Sequence, residues 1–209
     1  MEHEYSILGG QNRAAIGRYL SIAASMISSV IGASVVFFVE VMRTYELAKN
    51  IPSFVLWPLT AGIIYTGLYW FFERIAWRFE IIGRLLNVPN LEGKWKCEGQ
   101  STDPQTSSSR PWTGEVTIVQ SWDKLRVRLK TAQSGSNSIT AALVYDRAEG
   151  YRLLYNYKND PRVGEQELRS HHGAAEFLFS PDLNSAEGEY FTGFGRGNYG
   201  TMKLTRVAK

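Results

Sequence analysis

The sequence has little of the chemistry that disulfides and metal sites need. Its 209 residues include one cysteine, Cys97, and three histidines. A single cysteine forms neither an intramolecular disulfide nor a cysteine-based metal cluster, which fits a reducing compartment. His171 and His172 are adjacent, so on a β-strand they would point to opposite faces and would not readily share a metal ion. We therefore expect no metal site.

The sequence also lacks the motifs of common catalytic and phosphate-binding sites. The patterns GxSxG, HExxH and GxxxxGK followed by Ser or Thr do not occur. The formal net charge is only +3 and the basic residues are scattered, so a broad basic surface for a nucleic acid polymer is not expected. These absences predict a protein that is not an enzyme, has no cofactor and binds anions only locally.

What the sequence has instead is two long runs without a charged residue. Residues 19–39 (YLSIAASMISSVIGASVVFFV) number 21, and residues 50–72 (NIPSFVLWPLTAGIIYTGLYWFF) number 23. About 20 such residues in a helix cross the roughly 30 Å hydrocarbon core of a bilayer. Two runs separated by ten residues are typical of a transmembrane hairpin rather than of a buried core helix. A cleaved signal peptide is disfavoured because VVFFV continues past the small residues 32–34.

Positive charges near the two runs predict their orientation. The flanks outside the hairpin carry five arginines, whereas the loop between the runs carries one arginine and one lysine. Because these residues concentrate on the cytoplasmic side, both termini are predicted to be cytoplasmic. The flanking residues are Arg13, Arg18, Arg74, Arg78 and Arg84, and those of the loop are Arg43 and Lys49.

Small residues on the first run predict a contact between helices. Ser25, Ser29 and Ala33 are spaced four apart, which lets two helix backbones approach closely in lipid. The partner is either the second run of the same chain or another copy of the protein. For the second alternative, we predict an oligomerisation surface at Ser25, Ser29, Gly32 and Ala33.

The pattern of apolar residues predicts that residues 73–90 form an amphipathic helical connector, which continues from the second run along the membrane surface. Apolar residues recur every three or four positions, at Phe72, Ile75, Phe79, Ile82 and Leu86. Pro89 then ends the helix, because proline disfavours helical backbone in the residue before it. The predicted organisation is therefore a cytoplasmic segment (1–18), a two-transmembrane hairpin (19–72), the connector, and a cytoplasmic domain (91–209).

The sequence of the last domain predicts an antiparallel, all-β barrel or sandwich of about eight strands. Strand-like segments alternate with turns such as TDPQTSSSRP, SGSN and SPDLN. An eight-stranded barrel has no unpaired edges and holds one small ligand, as in lipocalins and streptavidin. Gly93-x-Trp95 is similar to the opening of lipocalin-like barrels, where the tryptophan plugs one end. The predicted strands lie near 91–99, 113–122, 124–132, 137–146, 150–159, 172–180, 186–193 and 200–207.

Alternation along these strands assigns residues to faces. Arg128 shares a face with Lys124, Arg126 and Lys130; this face is either a solvated outer surface or a place where an arginine meets a phosphate. Tyr155 and Tyr157 share another face, and their hydroxyls need partners if they are buried. The segment YFTGFGRGNYG (190–200) is either a hairpin turn or a ligand contact.

This organisation resembles the two-transmembrane, β-strand-rich effectors of bacterial cyclic-oligonucleotide-based anti-phage signalling systems (CBASS). The resemblance covers nearly the whole chain, from the two runs at 19–39 and 50–72 to the barrel between NLEGKW and YFTGFGRGNYGTMKL. It implies that the barrel binds a cyclic dinucleotide made by a partner nucleotidyltransferase. Binding would drive self-association, and the clustered spans would disrupt the bacterial inner membrane and kill the infected cell.

A cyclic dinucleotide offers two flat bases and two phosphates, and this chemistry selects candidate ligand-binding residues. Tyrosine rings would stack on the bases, and amide, imidazole and hydroxyl groups would bond to their edges. Arg196 lies between two glycines that allow backbone to approach a phosphate. The candidates are Trp95, Arg128, Tyr155, Tyr157, Asn159, His172, Tyr190, Thr192 and Arg196.

Two other kinds of protein fit the same sequence. A membrane-tethered, lipocalin-like protein would bind a lipid or another small apolar molecule in its barrel. A membrane scaffold would dock a protein on a barrel whose interior is filled by side chains.

Overall fold

The structure is a computed structural model that describes residues 1–45, 61–164, 169–193 and 197–207. The chain forms two compact units. One consists of residues Gln11–Ala76, and the other combines Met1–Gly10 with Trp77–Lys209.

The first unit contains two helices. Helix α1 (Arg13–Thr44) begins after Asn12, whose side chain accepts a hydrogen bond from the Ala14 amide at 2.8 Å. Helix α2 is Ala61–Arg74. Within the described ranges, α1 is the helix that is long and apolar enough to cross a membrane, and it contains the first predicted span, 19–39. The second predicted span, 50–72, coincides with α2 only from residue 61, and 50–60 lie outside the described residues.

The small-residue surface of α1 lies exposed. Helices α1 and α2 contact each other, and Ala24 is buried, whereas Ser25, Ser29 and Ala33 are exposed. The Ser25 and Ser29 hydroxyls donate to the backbone carbonyls four residues earlier, at 3.0 and 2.9 Å. Their polar groups therefore have partners within the helix, and their outer surface is open to another helix.

The connector is broken rather than continuous. A 3₁₀ turn (Ala76–Arg78) is followed by a short helix, α3 (Glu80–Leu86). Phe79 between them is extended, with φ −65° and ψ 131°, and Asn87 ends α3 in the left-handed region. The predicted apolar face is wrong at one end, because Leu86 is buried with Trp77 and Val88, whereas Phe79 is exposed.

The second unit is a nine-stranded sheet that closes on itself in the order β1-β4-β3-β2-β9-β8-β7-β6-β5. All eight predicted strands occur, as β2 to β9, and the all-β prediction for this part is confirmed. The strands are β1 (His3–Leu8), β2 (Gly93–Thr102), β3 (Ser109–Gln120), β4 (Lys124–Thr131), β5 (Ser134–Asp146), β6 (Gly150–Pro161), β7 (His171–Phe179), β8 (Ser185–Thr192) and β9 (Tyr199–Arg206).

Strand β1 is the ninth strand, and it lies in the predicted cytoplasmic segment 1–18, outside the eight predicted strands. It fills the gap between β4 and β5, which pair directly only from Arg128–Asn137 to Lys130–Gly135. It runs antiparallel to β4 and parallel to β5, from Tyr5–Ala141 to Leu8–Val144. The strand that precedes α1 is therefore part of the same sheet as the strands that follow α3.

A buried glutamine joins β1, the end of the connector and β3. Gln120 is 1% exposed. Its Oε1 accepts from the Leu91 amide at 2.8 Å, and its Nε2 donates to the Pro89 carbonyl at 3.1 Å and to the Tyr5 hydroxyl at 3.5 Å. A buried polar group that loses its partner costs about 1–3 kcal/mol.

The substitution Gln120→Met is expected to lower the free energy of unfolding by about 2–4 kcal/mol, because it keeps the size of the side chain but leaves the Leu91 amide and Pro89 carbonyl unpaired. Denaturant titration of the detergent-solubilised chain, followed by tryptophan fluorescence, measures this change. Gln100→Met, at an exposed position of β2, is the matched control. Equal midpoints for the two variants would contradict the prediction.

Candidate functional site

One end of the sheet holds a cavity of about 470 Å³. Four connections between neighbouring strands meet at this end: those joining β2 to β3, β4 to β5, β6 to β7, and β8 to β9. The cavity is lined by residues from these strand ends, including Ser101, Trp112, Leu129, Ser136, Tyr155, Tyr157, Asn159, His171, Tyr190, Thr192 and Asn198. This volume is in the range that proteins use to enclose small molecules.

Along β2, the inward-facing residues are small near this end and large at the other, which leaves space for the cavity. Alternation along β2 places Trp95, Cys97, Gly99 and Ser101 on the inner face. A Cβ atom at Gly99 would lie 2.2 Å from ring carbons of Trp112, so glycine makes room for this ring. The opposite end is filled by buried side chains, including Trp95, Trp122, Phe177, Phe179 and Leu204.

Aromatic side chains form much of the cavity wall. The Trp112 and Tyr190 rings meet edge to face, with centroids 5.9 Å apart, and the Trp112 Nε1 donates to the Tyr190 hydroxyl at 3.2 Å. On β6, Tyr155 and Tyr157 lie with centroids 6.1 Å apart. Burial, with smaller contributions from Tyr157 and Cys97, raises the pKa of Tyr155, so this phenol stays protonated. The wall therefore offers flat apolar surfaces together with neutral hydroxyl groups.

Buried polar side chains sit between these rings. Ser136, Asn159 and His171 are all buried and all line the cavity. The His171 Nδ1 lies 3.1 Å from the Arg169 carbonyl, and a carbonyl only accepts, so this nitrogen carries the proton. The inner wall thus contains hydrogen-bonding groups suited to the edge of a heterocycle rather than to a fully charged group.

Charge is confined to the mouth of the cavity. Among the described residues that line it, Asp103 and Arg110 are the carboxylic acid and the guanidine. Arg110 is exposed at the start of β3, and the Asp103 carboxylate accepts from the Gln105 amide at 2.9 Å. An anion bound here would meet a guanidinium at the rim and neutral groups further in.

Five of the residues predicted from sequence line this cavity together. Tyr155, Tyr157 and Asn159 come from β6, and Tyr190 and Thr192 come from the end of β8. Thr192 holds the β8–β9 connection closed, since its Oγ1 donates to the Asn198 carbonyl at 2.9 Å and accepts from the Asn198 amide at 2.8 Å.

Two other predicted residues face outward. His172 is exposed opposite Lys158, whereas its neighbour His171 is buried opposite Asn159. His171 and not His172 therefore lies on the cavity side, because the pairing of β7 with β6 sets which residues of β7 point inward. Arg128 is exposed because Leu125 and Val127 take the inner face of β4. Of the two alternatives for the basic face, the solvated outer surface is the one observed.

Two further predicted residues lie elsewhere. Trp95 is fully buried at the filled end, where its Nε1 donates to the Leu91 carbonyl at 3.2 Å and the Arg206 guanidinium lies 4.8 Å from its ring centroid. It packs as a plug and does not line the cavity. Arg196 lies outside the described residues, and its contact with a ligand stays a prediction.

Sequence reasoning missed Trp112, Arg110, Ser136 and His171. The sequence pattern predicts a turn over TDPQTSSSRP, whereas β3 begins within it at Ser109. Counting back in twos from the inward residues Ile118 and Val116 leads to Trp112 and Arg110, so alternation contained the signal.

Comparison with known proteins finds similarity across both units. The family model described as "Cap15, TM helices" matches residues 14–78, and that described as "Cap15, cyclic dinucleotide receptor domain" matches residues 86–206. A protein of Yersinia aleksiciae named "CD-NTase-associated protein 15" is 45% identical over 205 residues, which cover 98% of this chain and 97% of that protein.

Proposed function

This chain belongs to the Cap15 family of CBASS effectors, and on that premise we propose that its cavity binds a cyclic dinucleotide made by a partner nucleotidyltransferase. Binding drives self-association of the chain, and the clustered membrane helices disrupt the bacterial inner membrane before phage matures. Membrane association itself follows from the family's membrane helices and from α1.

The observation that carries this proposal is the division of the cavity into an aromatic, neutral interior and a charged mouth. Burying a phosphate among neutral groups costs far more than burying a base, whose edge is satisfied by hydrogen bonds. A base therefore enters between Trp112, Tyr157 and Tyr190, with Asn159 and His171 at its edge. The phosphates stay at the mouth, near Arg110 and the predicted contact Arg196.

The barrel type that we propose is lipocalin-like, with one plugged and one open end. The plug is Trp95 under Arg206, and buried side chains pack around it at that end. This arrangement favours a single ligand that enters through the mouth.

We also propose two membrane spans with both termini in the cytoplasm. Residues 1–10 and 77–209 belong to one compact unit, and β1 is hydrogen-bonded into its sheet. A segment that leaves and returns to the same unit crosses a membrane an even number of times. Helix α1 supplies one crossing, so residues between α1 and the connector supply the other.

Thermal melting of the full chain in detergent against a panel of cyclic dinucleotides tests the binding proposal. The full chain is required because the receptor domain alone, residues 86–206, would lack β1. A ligand at a hundred times its dissociation constant adds about 2.7 kcal/mol of stability. Arg110→Ala is expected to weaken binding about tenfold and to flatten its salt dependence, because it removes a charge-assisted contact.

Arg128→Ala is the matched control, since it removes the same charge from the outer face. It should leave the dissociation constant unchanged. If no cyclic dinucleotide shifts the melting temperature of the folded chain, or if both arginine variants behave alike, the proposed binding mode is wrong. Copurified lipid that fills the cavity would instead favour the lipid-binding alternative.

A further inference from the structure

The connector exposes three large apolar side chains, which we call the connector patch: Phe79, Ile81 and Leu85. They are 57%, 84% and 73% exposed. Ile81 and Leu85 are four residues apart on α3 and so lie on one helix face, and Phe79 directly precedes the helix. Such a concentration of exposed apolar surface in seven residues is unusual for a face that water covers.

The connector patch is held in place by the sheet-containing unit. On its other side, α3 is anchored by Leu86, and the adjoining Trp77 and Val88 are fully buried. The Val88 amide donates to the Gly83 carbonyl at 3.0 Å and closes the end of the helix. Helix α3 is therefore held by its buried residues on one side, and the connector patch is exposed on the other.

The position of the patch in the chain indicates what covers it. The match to the family's membrane helices ends at residue 78, and Phe79 is the next residue. Ion pairs flank the patch, Arg84 with Glu80 and Arg78 with Glu92. An aromatic residue and two aliphatic residues, bordered by arginines and placed at the end of a membrane segment, have the composition of an interfacial contact.

We propose that the connector patch inserts into the cytoplasmic interface of the bilayer, so that α3 lies in the membrane surface as a contact separate from the transmembrane helices. In such helices the apolar face lies about 5–10 Å deep, at the boundary of headgroups and acyl chains. The arginine side chains then extend toward the headgroups. This contact ties α3 of the sheet-containing unit, which we call the receptor unit, to the lipid surface whether or not a ligand is bound.

Site-directed labelling of the full chain in lipid nanodiscs tests this contact. Ile81→Cys and Leu85→Cys are each labelled with an environment-sensitive NBD maleimide, and phospholipids with a nitroxide near the top of the acyl chain serve as quenchers. The wild-type chain is the blank, because Cys97 is buried and burial, with a smaller contribution from Glu98, raises its pKa to about 12. Phe191→Cys is the matched control, since Phe191 is an apolar residue that is 60% exposed on β8.

We expect the nitroxide lipids to quench the labels at 81 and 85 several-fold more strongly than the label at 191, with a blue-shifted emission at both connector positions. Quenching equal to that at 191 would overturn the proposal. Blue-shifted emission without lipid quenching, together with energy transfer between labelled copies, would also overturn it and would identify a second chain as the partner. Thermal melting of each labelled variant verifies that the receptor unit remains folded.

Discussion

Replacing Trp112 with alanine is expected to weaken cyclic dinucleotide binding roughly 5- to 150-fold, the effect of losing about 1–3 kcal/mol of stacking on one base. The ring lies in the cavity wall and its Nε1 donates to the Tyr190 hydroxyl at 3.2 Å. Its removal therefore takes away one stacking surface and the contact that orients another. Isothermal titration of the solubilised full chain with the cyclic dinucleotide that stabilises it most measures the loss.

Phe191→Ala is the control for this experiment, because it removes an aromatic ring next to Tyr190 that faces outward. Trp112→Phe separates stacking from hydrogen bonding, since phenylalanine keeps a flat ring but cannot donate to Tyr190. We expect it to recover most of the affinity. A folded Trp112→Ala variant with unchanged affinity would exclude a base from this part of the cavity.

Alternation of residues along strands made most of the second unit predictable. Each predicted strand from β2 to β9 occurs, and Tyr155 and Tyr157 share one face of β6 as predicted, which the structure turns toward the cavity. The same rule did not predict which histidine of β7 points inward, because the sequence alone does not give the pairing of β7 with its neighbouring strand. Both His171 and His172 could have been the inward residue, and the register of β7 with β6 decides between them.

Strand β1 shows what a pattern in one segment cannot predict. The segment HEYSIL has one strongly buried side chain, Tyr5, and is separated by more than 110 residues from the strands that it joins. Its pairing depends on a gap between β4 and β5, which pair with each other at only three described positions.

The continuous helix predicted for the connector also fails for a reason that lies outside the segment itself. Apolar residues recur at helical spacing in the connector, but Trp77 and Leu86 are buried in the core, and the chain is extended at Phe79 between the two helical pieces.

In the proposed function, the ligand promotes association of the chains only to the extent that it binds the associated state more tightly than the separate chains. Moving a population from 1:99 to 99:1 requires about 5.5 kcal/mol. Each chain of an oligomer contributes its own bound ligand, so a modest preference in each accumulates to this value. The proposed contact between the membrane helices of neighbouring chains is the surface of α1 formed by the exposed Ser25, Ser29 and Ala33 and the half-buried Gly32.

The substitution Ser29→Leu is expected to abolish killing while leaving ligand binding intact. A leucine at this exposed position holds neighbouring helices apart, and the close backbone contact that small residues permit is lost. Because residue 29 lies in α1, outside the receptor unit, the stabilisation by ligand should equal that of the wild-type chain. Viable counts after co-expression with the nucleotidyltransferase, at matched protein levels, measure the effect.

Val30→Leu provides the comparison, since Val30 is 66% exposed on a different face of the same helix and already tolerates a large side chain. It should kill as the wild type does, because volume added on this face does not separate the small-residue surfaces. Killing by Ser29→Leu at the wild-type level would remove this surface from the mechanism. Loss of killing in both variants would mean that α1 tolerates no added volume, and the specific role of the small residues would be rejected.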